Sequence, residues 1–108
     1  MKITYEVVVD VRKTRELDWV TWMTDHHMPS ICRVANVSDA MLIKSDEQET
    51  PEYARFRVLY LFNDKESLDD YLENHAKEFR AEHEEAFGGD FKVSRHIGIL
   101  MKWLETRP

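Results

Sequence analysis

His27 and Arg95 are the two residues whose type and position point most directly to chemistry. Leu17, Val20, Thr24, His27, Ile31 and Val34 recur at helical spacing, so the imidazole of His27 faces whatever that helix packs upon. Free imidazole titrates near pH 6.5, which suits it to take and return a proton at neutral pH. Arg95 shares the phase of Val93 and Ile97 in an alternating run, which sets a guanidinium among apolar neighbours on one strand face. There it can hold a carboxylate or a developing oxyanion. The predicted site is a pocket with His27 and Arg95 as catalytic residues and Tyr5, Tyr71, His75 and His83 as substrate-binding side chains. A structural role is the alternative for both catalytic candidates. Arg95 then pairs with Glu82 or Glu85 to lock a helix onto the sheet, and His27 bonds the carbonyl that Pro29 leaves free.

Other histidines give a weaker signal. His75 and His83 lie in one helical run, about 80° apart around its axis, so they do not form an i, i+4 metal pair. Cys32 is the single cysteine, which excludes both an intrachain disulfide and a Cys-rich zinc site. No metal and no cofactor is expected. Trp19 and Trp22, with His26 beside them, read as packing or subunit-contact residues rather than a ligand cage.

Six elements position these side chains. Ile3, Tyr5, Val7, Val9 and Val11 alternate as a strand with one buried face. Thr14 is placed to cap a helix over residues 15–34, which Pro29 must kink or break. A second strand spans Val37 to Ser45 and ends in the charged turn Asp46-Glu47-Gln48-Glu49-Thr50-Pro51. Residues 53–62 form a third strand, central because large apolar groups occupy both faces near its end. Asn63 and Glu66 resemble a capping box for a second helix carrying Leu68, Tyr71, Leu72, His75, Phe79 and Ala86, which Gly88-Gly89 terminates. Its acidic residues, with Lys77 and Arg80, read as a solvated face. A long last strand runs from Phe91 to Leu104, with Trp103 at its far end.

This order, β-α-β-β-α-β, predicts one domain over residues 1–108 of the α+β class. The expected fold is ferredoxin-like, a four-stranded antiparallel sheet with two helices on one face. The uncovered face then carries large apolar groups, and two such faces packed across a twofold axis would bury them, so a homodimer is expected. The end of the last strand can reach over the partner's sheet or pack on its own subunit.

Two segments carry a resemblance. Trp19-x-x-Trp22-Met23 with His27-Met28-Pro29, and Ala81-Glu82-His83 leading through Phe87-Gly88-Gly89-x-Phe91 to Arg95, resemble domain-of-unknown-function family 4286 over nearly the whole chain. Ser30 stands where that family favours an acidic residue. More distantly, the element order and His-x-Pro resemble the dimeric α/β-barrel superfamily. It includes cofactor-free monooxygenases, muconolactone isomerases and polyketide cyclases, and this likeness implies fold and dimer but no single reaction.

Two functional classes remain open from the sequence. One is a cofactor-independent enzyme of isomerase, cyclase or monooxygenase type, acting on a small apolar or aromatic metabolite with His27 in proton transfer. The other is a non-catalytic dimeric module that binds a metabolite or a protein. With 15 Lys plus Arg against 21 Asp plus Glu, the chain carries a net charge of −6, which disfavours nucleic acid. Tyr53-Ala54-Arg55-Phe56-Arg57-Val58 also lacks the glycines of an RNA-recognition motif. The longest apolar run, Val58 to Phe62, is far short of the roughly 20 residues of a membrane helix. Met1 leads into strand without a signal-peptide pattern, so a cytoplasmic protein is expected.

Overall fold

The computed structural model describes residues 1–47 and 50–107. Four strands, β1 (Ile3–Arg12), β2 (Val37–Lys44), β3 (Tyr53–Phe62) and β4 (Phe91–Ile99), form one antiparallel sheet in the order β2-β3-β1-β4. The fold is ferredoxin-like, as the element order predicts. Ile3, Tyr5, Val9 and Val11 of β1 lie beside Phe62, Tyr60, Phe56 and Ala54 of β3, and all eight are buried. Their shared face packs against helices, so the alternation of β1 and β3 translates directly into a core.

The first helical region is not one kinked helix. A 3-10 turn at Lys13–Arg15 leads into α1 (Glu16–Trp22), a π-helical turn at Met23–His27 and α2 (Met28–Val34). Thr14 does not cap it; Arg15 occupies the N-cap position without a side-chain bond. Pro29 has no amide hydrogen for the carbonyl of Asp25, and just upstream the Met28 N–H reaches back five residues to the Met23 carbonyl. The wider turn rotates the buried stripe. Trp19, Met23, His27 and Ile31, each four residues apart, all face the core. In an unbroken α-helix that spacing drifts by about 40° per step. Leu17, predicted in the stripe, is instead 84% exposed, Val34 is exposed too, and Trp19 is wholly buried against Phe56.

The second helical region also divides, at His75, into α3 (Lys65–Asn74) and α4 (Ala76–Phe87). Asp64, not Asn63, caps α3, its carboxylate accepting the Ser67 N–H at 2.7 Å, while Asn63 donates to the Asn36 side chain. Gly88 and Gly89 end α4 as expected. Gly89 has φ of +86°, and a Cβ on Gly88 would lie 2.4 Å from the Glu84 carbonyl. A β-bulge between Val37 and Asp39 puts Val37 opposite Phe62 while Met41 and Ile43 turn to the uncovered face. Gln48 and Glu49 of the charged turn lie outside the described residues.

The uncovered face is only partly apolar. Arg55 grips Asp10 with two bonds of 2.7 and 2.9 Å, and Arg57 bonds Glu6, so two cross-strand ion pairs cross its centre between Met41, Ile43 and Leu59. β4 stops at Ile99, and residues 100–107 continue without regular structure. Trp103 is not part of a strand and shares a surface hollow with Leu61, Asp39 and Lys2 of its own sheet.

The rotated stripe has a direct consequence for stability. Trp19→Ala is expected to cost about 3–5 kcal/mol in urea unfolding, and Leu17→Ala less than about 0.5 kcal/mol. A larger loss at Leu17 than at Trp19 would contradict this packing.

Candidate functional site

Where α2, α4 and the sheet meet, a cavity of about 40 Å³ remains. β1 contributes Tyr5, β3 Tyr60, β4 Arg95, the π turn His27, and α4 Phe79, Arg80 and His83; Tyr71 of α3 completes the polar lining. His27 and Arg95 therefore border the same space, together with Tyr5, Tyr71 and His83. His75 does not. It stands at the junction of α3 and α4, its ring centred 6.4 Å from that of Tyr71. No group of three His, Cys, Asp or Glu side chains converges among the described residues.

His27 is 7% exposed and stacks on Trp22, ring centroids 4.4 Å apart. Phe79 meets it edge-on at 5.9 Å. Its Nδ1 is shut off from solvent and has no hydrogen-bond partner among the described residues, so it does not bond the carbonyl freed by Pro29. Burial, and then the neighbouring His83, lowers its pKa to about 4. His83 is held differently. Trp19 Nε1–H donates to His83 Nε2 at 3.0 Å, which leaves Nε2 unprotonated and places the ring proton on Nδ1. The His83 ring lies on Phe91 at 3.9 Å, and burial, followed by the charge of Arg95, lowers its pKa to about 4. Both imidazoles are neutral at pH 7.

Three phenols face the same cavity. Tyr5 accepts a hydrogen bond from Arg80 Nη2 at 3.1 Å. Tyr60 is buried with its hydroxyl unpartnered among the described residues, an omission that costs roughly 1–3 kcal/mol. Burial raises the pKa of Tyr60 and of Tyr71 well above that of free phenol. Arg95 is exposed, not buried, because β4 is an edge strand. Among the described residues it makes no ion pair, with Glu82 or Glu85 or any other acid; Glu82 instead meets His26 at 3.0 Å. Arg95 nonetheless lines the cavity together with His83 and Tyr71, whose pKa values its charge lowers.

Tyr60 and Arg80 are site residues that the sequence reading passed over, and Trp22, read as a packing residue, stacks on His27 behind the site. Tyr60 had a signal: its phase with Phe56 and Val58 puts a hydroxyl in the core. Arg80 had none, since it lies in the charged run of α4.

Fold and cavity together define a small ferredoxin-like protein with a histidine-lined hollow between helices and sheet. The chain belongs to the family described as a domain of unknown function, DUF4286, whose model matches residues 2–100. No protein with a curated description matches the sequence. Among solved structures, SnoaB, a cofactor-independent oxygenase from Streptomyces nogalater solved as a mutant, is similar. It superposes with a TM-score of 0.70 at 8% identity, covering 97% of this chain and 98% of that one. A dimeric ferredoxin-like protein from an uncultured marine organism gives 0.70 at 11% identity, with 95% and 98% covered. A putative antibiotic biosynthesis monooxygenase from Bacillus cereus gives 0.66 at 10%, with 97% and 98% covered. At these identities the likeness shows the fold. No helix is long and apolar enough to cross a membrane among the described residues.

Unfolded histidine titrates near 6.5, whereas His27 and His83 titrate at about 4 in the folded chain. Between those values the unfolded chain binds more protons. Their contribution to stability is therefore complete above about pH 6.5 and lost as pH falls toward 4. The urea midpoint should decline from about pH 6.5 to 5, where most carboxylates stay ionised. A midpoint that is flat or rises over that range would show that the two imidazoles are not buried as neutral groups.

Proposed function

We propose that this protein is a small homodimeric enzyme that works in the cytoplasm without a cofactor, on a small apolar or aromatic metabolite. The observation that carries this reading is the meeting at one cavity of neutral His27 with a Tyr60 hydroxyl and an Arg95 guanidinium that both lack a partner among the described residues. The proton-transfer step follows from their chemistry. His27 takes a proton from a C–H next to a carbonyl or from a phenol, and the electron pair stays on the substrate as an enolate or phenolate facing Arg95. A base with a pKa of about 4 is weak, so the proton must be made acidic by its neighbours. Its return to another carbon gives an isomerase; attack of the carbanion on a carbonyl of the same substrate, with the proton returned to the new alkoxide, gives a cyclase; and addition of the carbanion to dioxygen, with the resulting hydroperoxide losing water to leave a carbonyl, gives a monooxygenase. SnoaB, a cofactor-independent oxygenase, lends support from the same fold.

The dimer is proposed from the uncovered face. Met41, Ile43 and Leu59 flank the Asp10–Arg55 and Glu6–Arg57 pairs, and the exposed Met101, Trp103 and Leu104 lie in the segment after β4. Across a twofold axis, apolar margins meet apolar margins and each ion pair stays internally neutralised. The marine protein described as dimeric supports it.

One observation favours the second reading, a non-catalytic dimeric module that binds a metabolite or a protein. A hollow of about 40 Å³ is well below the roughly 300–1,000 Å³ of common ligand pockets. It accommodates a head group, with the rest of a ligand at the mouth.

Light scattering should give twice the 12.9 kDa of the chain, and a clean monomer would remove the dimer. On a substrate found by screening enolisable aromatic ketones and hydroxyarenes under air, His27→Ala should lower turnover by about 10²–10⁴ at unchanged dimer mass. Wild-type turnover in that variant would take His27 out of the mechanism.

A further inference from the structure

The chain is acidic, with 21 Asp plus Glu against 15 Lys plus Arg, yet no carboxylate lines the cavity among the described residues, and Glu82, which acts on His27 from outside it, is held by His26. Two guanidiniums, two imidazoles and three phenols supply its polar groups. Arg80 is committed to the Tyr5 hydroxyl at 3.1 Å, whereas Arg95 has no hydrogen bond or ion pair among the described residues. An uncompensated positive pole beside apolar walls is the complement of an organic anion. At the same hollow, the Tyr60 hydroxyl is more than nine-tenths buried and unpartnered among the described residues, so it has a hydrogen bond to offer a ligand oxygen once its ring shifts to open it to the cavity. A space of about 40 Å³ holds only a few heavy atoms, which requires the anion and that second oxygen to be close neighbours.

We infer that the cavity binds the head of a 2-oxo or 2-hydroxy acid, its carboxylate held by Arg95 and its second oxygen by the Tyr60 hydroxyl. The apolar remainder of the ligand lies at the mouth over Ile97, which is 60% exposed and two residues from Arg95 on the same strand face. The inference deepens the proposed function, since it rests on this cavity being the ligand site. It names the substrate class, because a 2-oxo acid carries the acidic C–H that a weak base such as His27 can use.

Calorimetric titration with phenylpyruvate, phenylacetate and phenylacetone separates the contributions. Phenylpyruvate should bind about tenfold or more tightly than phenylacetate, which lacks the second oxygen, or phenylacetone, which lacks the charge. Arg95→Gln, a change at an exposed edge position, should weaken phenylpyruvate by about tenfold or more and leave phenylacetone unchanged. Tyr60→Phe, which only removes an unpartnered hydroxyl, should abolish the preference for phenylpyruvate over phenylacetate. The melting curve of Arg95→Gln should match wild type, and that of Tyr60→Phe, relieved of a buried unpartnered hydroxyl, should lie at or above it. Undiminished phenylpyruvate binding in Arg95→Gln, equal affinity for acid and ketone, or no saturable binding of either acid would overturn the inference. Arg95-dependent binding without turnover on any acid would keep the acid site and remove the enzymatic reading.

Discussion

Pro29 has no hydrogen to offer the carbonyl one helical turn before it, and much of the site follows from that missing bond. The backbone relaxes into a π turn over Met23–His27, and this wider turn keeps Trp19, Met23, His27 and Ile31 on a single line above the sheet. With a regular helical drift, His27 would lie about 80° and Ile31 about 120° around the axis from Trp19, too far for all of them to share one line. Because they do, Trp19 reaches His83 on α4, and His27 is pressed between Trp22 and Phe79. The helical break at one proline thus sets the relation between two imidazoles on different helices.

Electrostatics divide the molecule by face. On the uncovered side of the sheet the central charges are paired across strands, Arg57 with Glu6 and Arg55 with Asp10, where the guanidinium holds the carboxyl below its usual range. On the helix side His27 and His83 are kept neutral by burial, and Arg95 stands at the edge without an acid among the described residues. A chain that is acidic overall therefore presents two guanidiniums, Arg80 and Arg95, at the lining of this cavity. This arrangement contributes little to folding, since the unpartnered Tyr60 hydroxyl and His27 Nδ1 both cost free energy. Such costs in a cavity wall are the pattern expected of a binding site.

Much of the fold was legible because strand periodicity is a strong signal. The alternation of β1 and β3 put the right residues in the core, and the phase of Arg95 with Val93 and Ile97 brought it to the cavity that His27 faces. The helices were less legible. A wheel drawn at constant pitch cannot see a π turn, so it put Leu17 in the buried stripe and Trp19 beside it as a packing or subunit-contact residue, whereas Leu17 is exposed and Trp19 wholly buried. It likewise ran one helix through His75, where the backbone breaks and carries that residue away from the cavity. The burial of Arg95 was overestimated for another reason, because strand phase gives the face and not the edge. Tyr60 could have been found from its phase, whereas the Arg80–Tyr5 bond depends on where α4 crosses the sheet, which no local pattern encodes.

The central claim is that the two imidazoles meet at one cavity as neutral rings of fixed orientation. Long-range ¹⁵N–¹H spectroscopy of the histidine rings at pH 7 tests it most directly. The account predicts His83 with a protonated Nδ1 and an acceptor Nε2 under Trp19, beside an uncharged His27. A His83 protonated at Nε2, or a cationic ring at either position, would contradict it.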